Sequence, residues 1–263
     1  MRSTIIHEVK HITAYGERFS RGTSLEQSWL EESTARVSEE LYWRTFSNAA
    51  WKTNAPYATS VGCERTNCDD RPIMMRKHFE ALASYYANVE TYTPIGQSRS
   101  GDFSFYGSGW SLVRWATDHY ATDEAAFLRS LIASGPTGLD NLAARTGRTI
   151  PEMLGDWSLA LAIDDYPGFT ATRPQLGIPS WDTRDIFRGL NVSNPSAYPR
   201  AFPLATRPAI FGDFTHDVPQ LRAHSAAFFE ISGTARGPQV IGLSSASGGV
   251  PSPTLRLAIV RVQ

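Results

Sequence analysis

Residues 3–22 of this chain, STIIHEVKHITAYGERFSRG, decide how its first half folds. Apolar residues recur in this stretch at spacings of three and four, which places their side chains on one face of an α-helix. These residues are Ile5, Ile6, Val9, Ile12 and Phe19. Gly22 is expected to end the helix, because glycine adopts the left-handed conformation of a helix C-terminus at little cost. The chain is therefore predicted to begin with a helix that carries one apolar stripe.

The same helix carries His7-Glu8-Val9-Lys10-His11, which fits the pattern H-E-x-x-H. On a helix, residues i and i+4 share a face, so His7 and His11 can bind one ion while Glu8 points beside them. Zinc hydrolases use this arrangement, in which the ion polarises a carbonyl and the glutamate transfers the proton. A chance match is expected in roughly 1% of chains of this kind. The motif predicts two zinc ligands and, in Glu8, a general base.

A third ligand must come from elsewhere in the chain. The extended form of the motif needs glycine at position 14 and histidine at 17, where this chain has Ala14 and Glu17, so that subclass is excluded. The subclass with two histidines and one carboxylate takes a glutamate from a second helix. Residues 29–35, WLEESTA, begin such a helix, and a turn at 20–23 would bring Glu32 back beside the histidines.

The two motifs together resemble the gluzincin pattern H-E-x-x-H followed by W-L-x-E-G-x-A. The helical part, residues 3–165, is similar to bacterial secreted metallopeptidases of the hyicolysin family. The resemblance implies that Glu32 is the third zinc ligand and that Glu31 occupies the variable position. Ser33 stands where the family usually has glycine, which leaves the ligand intact. Residues 106–110, YGSGW, resemble a further family segment, Y-G-x-G-W.

Two further roles at this site have candidate residues, namely a hydrogen-bond donor to the transition state and acceptors for the second nitrogens of the histidines. Gluzincin-like enzymes use a tyrosine or histidine as a hydrogen-bond donor to the transition state, and Tyr106 is the candidate here. The alternative is that Tyr106 packs at a helix start beside Trp110. Ligand histidines also donate their second nitrogen to an acid or a carbonyl, and Glu31, Glu39 or Asp102 can serve. Nothing in the sequence selects among these three acids.

The expected cellular location follows from the resemblance and from the cysteines. In zincins a twisted sheet precedes the metal helix, whereas six residues precede His7, so we expect this chain to be the C-terminal part of a longer bacterial protein that is secreted or displayed at the cell surface. The N-terminus has no apolar run of signal-peptide length. Cys63 and Cys68 can form a local disulfide, which suits an oxidising compartment. Two free thiols or a metal pair are the alternatives.

The predicted fold class is α+β. Residues 1–165 are predicted to form a mostly helical zincin catalytic subdomain, with further helices near 24–43, 74–86, 110–120, 124–134 and 150–163. Residues 166–205 are rich in proline and glycine and are interpreted as a linker along the surface. Residues 206–263 are predicted to form a small antiparallel β-sandwich-like domain, because short β-rich runs at 226–231, 239–243 and 255–262 alternate with turn residues.

Composition excludes several classes of protein. Hydrophobic residues make up 41% of the 263 residues, which indicates a globular chain. The 25 Lys and Arg residues against 26 Asp and Glu leave a net charge of -1, which argues against nucleic-acid binding. No window approaches the roughly 18 apolar residues of a membrane span. The expected partner is a peptide or protein substrate.

The sequence therefore predicts a zinc-dependent metallopeptidase. Two alternatives stay open. One is a non-catalytic secreted or surface binding module that retains a zincin remnant. The other is a metal-dependent hydrolase of a different carbonyl substrate, since the same activation of water serves both.

Overall fold

The computed structural model describes residues 2–47, 49–62, 71–96, 103–212, 216–218, 221–233 and 240–262. Cys63 and Cys68 lie outside these ranges, so their predicted pairing is not addressed by the structure. Within the described ranges, no helix combines the length and the hydropathy that crossing a bilayer requires.

Helices account for most of the described structure. They are α1 (Arg2–Ser20), α2 (Ser28–Ser47), α3 (Tyr57–Ser60), α4 (Arg71–Tyr86), α5 (Ser104–Tyr120), α6 (Glu124–Ile132), α7 (Gly138–Thr146), α8 (Ile150–Ile163) and α9 (Thr183–Ser193). A 3-10 turn at Pro174–Leu176 precedes α9, and two strands follow, β1 (Thr206–Ile210) and β2 (Phe228–Ser232). The protein is thus mostly helical with a small sheet, as its sequence predicts.

The C-terminal strands differ from the predicted antiparallel sandwich. β1 and β2 pair in parallel, with Thr206 opposite Phe228 and Ile210 opposite Ser232. The predicted strand runs at 240–243 and 255–262 have no regular structure. These runs bury few side chains, and β-branched composition alone does not form a strand without a surface to pack on. The prediction of antiparallel pairing is wrong for the strands described.

Helix α5 lies at the centre of the core, packed between α2 and α4. Two glycines permit this close packing. A Cβ atom at Gly107 would collide with the backbone of Ala81 on α4, and one at Gly109 would collide with the hydroxyl of Ser33 on α2. Close packing therefore explains both glycines of YGSGW, since Gly107 lies against α4 and Gly109 lies against α2.

The segment 166–205 contributes to this core instead of running along the surface as a linker. Asp182 caps α9 by accepting a hydrogen bond from the Asp185 N–H. The apolar face of α9 is buried, and Phe187 packs edge-on against Phe79 of α4. The density of proline and glycine suggests a linker, but a capped helix of 11 residues, which itself includes Gly189, forms within this segment.

Helix α1 faces the core with its polar side. The predicted stripe is present but points outward, with Ile12 71% exposed and Phe19 85% exposed. The buried residues of α1 are Lys10, Ala14 and Arg18. An apolar stripe normally marks the buried face of a helix. Here the opposite face, which carries His7, Lys10 and His11, packs against α2.

A buried group of charged side chains connects α2, α5 and α6. Glu40 is completely buried and accepts hydrogen bonds from Arg114 Nε at 3.0 Å and from Trp110 Nε1 at 2.8 Å. Arg44 donates to its other oxygen, and Arg114 also donates to Glu124 of α6. Burial alone would raise the pKa of Glu40, but Arg114 and Arg44 lower it, so Glu40 stays ionised.

Candidate metal centre

The structure brings the three predicted ligands together. One ligand atom from each of His7, His11 and Glu32 lies within 4.8 Å of the other two. His7 Nε2 is 3.1 Å from Glu32 Oε2, and His11 Nε2 is 3.6 Å from Glu32 Oε1. The two imidazole rings meet edge to face with centroids 4.7 Å apart. Both Nε2 atoms thus face the carboxylate of Glu32.

The turn between α1 and α2 sets this geometry. Gly22 adopts the left-handed conformation, with φ of 65°, and ends the helix as predicted. Arg18 is buried and donates to Ser24 O at 2.8 Å and to Glu26 Oε2 at 2.6 Å. It also donates to Leu131 O on α6. The turn is therefore anchored to the rest of the protein, and α2 returns antiparallel to α1 with Glu32 opposite the histidines.

The second nitrogen of each histidine is held by a carboxylate. His7 Nδ1 donates to Glu39 Oε1 at 2.7 Å, and His11 Nδ1 donates to Glu31 Oε1 at 2.8 Å. Histidines that bind metals in proteins commonly make this contact. Of the three acids left open by the sequence, the structure places Glu31 and Glu39 here, whereas Asp102 lies outside the described residues.

The charges around the site fit a divalent cation. Burial alone would lower the pKa of His7, but Glu32 and Glu39 outweigh it and raise that pKa to about 9. Burial would raise the pKa values of Glu32 and Glu39, but hydrogen bonding to His7 lowers both. Both glutamates are therefore ionised at neutral pH. Two imidazoles and one carboxylate also form a donor set that suits zinc.

Glu8 and Tyr106 differ in their relation to this cluster. Glu8 follows His7 on α1 and is exposed to solvent. Tyr106 packs against Phe105 with ring centroids 5.2 Å apart, and the Arg36 guanidinium lies 4.8 Å above its ring. The described contacts of the Tyr106 side chain include none with the three ligands. Tyr106 lies in the first turn of α5, but its described ring contacts are with Phe105 and Arg36 and not with Trp110, the neighbour that the alternative named.

Tyr15 is a residue near the site that the sequence analysis missed. Its ring stacks on that of His11, with centroids 6.1 Å apart and planes 15° from parallel. Burial raises its pKa, and the charges of Glu31, Glu32 and Glu8 raise it further. Its position one turn after His11 on the same helix was visible in the sequence.

The pKa of His7 leads to a prediction about pH. Because this pKa lies above the ordinary value of 6.5, protonated His7 stabilises the metal-free protein fully below about pH 6.5, and this stabilisation is lost as the pH rises through about 9. A metal ion binds the neutral imidazole and must displace the proton. We expect metal affinity to rise over the same interval, by up to about tenfold per pH unit for one proton displaced.

Zinc titrations across this interval, together with thermal unfolding of the chelator-treated protein, measure both trends. The two trends are expected to run in opposite directions. A zinc affinity that does not change with pH would contradict the protonation of His7.

Comparison of the chain with protein-family models, curated proteins and solved structures finds no significant match. The resemblance to gluzincins therefore depends on the two sequence motifs.

Proposed function

We propose that this protein is a zinc-dependent metallopeptidase, in which His7, His11 and Glu32 bind the ion and Glu8 is the general base. The observation that carries the proposal is the convergence of the three ligand atoms within 4.8 Å. The contacts of both Nδ1 atoms with carboxylates support it, because they leave the two Nε2 atoms directed at one point. Similar ligand sets also accept cobalt or manganese.

Each residue has a part in the proposed reaction. A divalent ion held by His7, His11 and Glu32 would supply Lewis-acid activation of the scissile carbonyl and of the attacking water. Glu8 accepts the proton of that water and delivers it to the leaving amine. The sequence offers Tyr106 as the donor to the transition state, and Tyr15, which stacks on His11, is a second candidate.

The same proposal includes the finer assignments that depend on the resemblance. These are the zincin character of residues 1–165, an accessory role for 206–263, a peptide or protein substrate, and a secreted or cell-surface location in bacteria. The ligand Glu32 has 27% of its side chain exposed, so the candidate site is open to a substrate from solvent.

Metal content and its dependence on Glu32 test the proposal. We expect about one equivalent of zinc in the purified protein by elemental analysis. In Glu32→Ala, we expect an affinity at least about 100-fold weaker, because losing a ligand costs more than losing an outer partner of a ligand. Glu17→Ala, at an exposed position on α1, is the matched control and should keep its zinc.

Peptide cleavage completes the test. Hydrolysis of a casein substrate is expected to stop when a chelator removes the metal and to return when zinc is added. Absence of bound metal after zinc is supplied would reject the proposal. Zinc binding without turnover would favour the non-catalytic binding module.

A further inference from the structure

Each candidate ligand histidine belongs to a chain of three side chains. In the inner triplet, His11 Nδ1 donates to Glu31 Oε1 at 2.8 Å and Lys10 Nζ lies 2.7 Å from Glu31 Oε2. In the outer triplet, His7 Nδ1 donates to Glu39 Oε1 at 2.7 Å and Arg36 Nη1 lies 3.5 Å from Glu39 Oε2. Each carboxylate thus uses one oxygen for an imidazole and the other for a cation.

The inner triplet is the more enclosed of the two. The side chains of Lys10 and Glu31 are only 8% and 5% exposed. Lys10 Nζ also donates to the backbone oxygen of Glu31 at 2.9 Å, so it holds this residue at two points. Lys10 and Glu31 occupy variable positions of H-E-x-x-H and W-L-x-E. The motifs themselves therefore do not specify this contact.

A buried ion pair of this kind needs a reason other than stability. Removing two charges from water costs free energy that their attraction barely repays, and an apolar pair of similar volume often stabilises a fold equally well. What the pair of Lys10 and Glu31 does achieve is geometric, because it fixes the carboxylate that accepts the hydrogen bond of His11. Glu39 makes the equivalent contact with His7. Its cation, Arg36, lies about one turn before it on α2.

We propose that Glu31, held by Lys10, and Glu39 are positioning residues of the metal centre. By accepting the Nδ1–H of His11 and His7, they fix both ring orientations and present both Nε2 atoms toward Glu32. This inference rests on the proposed function, because it concerns the same site. The competing view is that the two triplets only join α1 to α2. The two views predict different metal affinities for variants of equal stability.

Two matched double variants separate these views for the inner triplet. Lys10→Met with Glu31→Gln removes both charges but keeps an oxygen that can accept the Nδ1–H of His11. Lys10→Met with Glu31→Leu has a similar volume and no acceptor. Neither double variant leaves an unpaired buried charge, which would itself destabilise the protein. Any difference in metal affinity between them therefore reports on the hydrogen bond to His11.

For the outer triplet, Glu39→Gln and Glu39→Leu form the equivalent pair of single variants. Zinc affinity is measured by competition with a chromophoric chelator, and the unfolding midpoint of each variant is measured alongside. The visible spectrum of the cobalt-substituted protein reports on the geometry of the ligands. These readouts do not depend on peptide cleavage.

We expect each leucine variant to bind zinc about 10- to 100-fold more weakly than its glutamine partner, with an altered cobalt spectrum and a comparable unfolding midpoint. Affinities within threefold in both pairs would overturn the inference. If one leucine variant does not fold, the pair at the other histidine decides the question. Failure of the parent protein to bind zinc would instead reject the proposed function, so the two failures are distinguishable.

Discussion

Glu8→Gln is expected to lower the kcat/KM of peptide hydrolysis by about 10²- to 10⁴-fold, the usual contribution of a general base. Glutamine has nearly the same shape as glutamate but does not accept a proton at neutral pH. Glu8 is exposed and is not one of the three candidate ligands, so the variant should keep its zinc and its stability. The loss should therefore appear in turnover and not in metal content.

Glu17→Gln is the matched control for Glu8→Gln. Glu17 is also an exposed glutamate of α1 and pairs with Arg21, more than two turns beyond Glu8. Its activity and zinc content should equal those of the parent. Undiminished cleavage by a zinc-loaded Glu8→Gln protein would reject Glu8 as the base.

Glu40→Ala is expected to lower the free energy of unfolding by about 3–5 kcal/mol, the typical cost of removing one partner from a buried charged pair. Glu40 accepts from Arg114 Nε and Trp110 Nε1 in a wholly buried position. Without it, the Arg114 guanidinium loses its charge partner on α2 and stays buried. Denaturant unfolding of the parent and the variant measures the difference.

Glu17→Ala provides the comparison for this stability measurement as well. Its pair with Arg21 is exposed, and surface pairs contribute about 0–1 kcal/mol. If Glu40→Ala lowers the free energy of unfolding no more than Glu17→Ala does, the charged group that connects α2, α5 and α6 does not stabilise the fold.

The grouping of His7, His11 and Glu32 could be predicted from the spacing on α1 and from the position of the turn that follows it. His7 and His11 share a helical face through their spacing, and Gly22, which adopts the left-handed conformation, ends α1 as predicted. α8 begins as predicted, since Thr149 and Glu152 form a reciprocal capping box. The choice of Glu31 and Glu39 as partners of the histidines was not predictable, because it depends on the rotation of α2 about its own axis.

The parts that were mispredicted depend on tertiary burial. Composition suggested that 166–205 was a linker, but the apolar face of α9 finds space against α4. The runs at 240–243 and 255–262 have strand-like composition without a surface to cover them. The outward orientation of the α1 stripe is equally non-local, because it follows from the buried contacts of Lys10 and Arg18 with α2 and its preceding turn.

The contact between Gly109 and Ser33 means that two distant positions in the sequence share the volume of one side chain. Ser33 follows the candidate ligand Glu32, and its hydroxyl, which donates to Trp29 O, occupies the space that a Cβ atom at position 109 would need. Variation at the two positions is therefore coupled. A chain with glycine at 33 has room for alanine at 109, whereas in a chain with serine at 33 the hydroxyl must move to admit it.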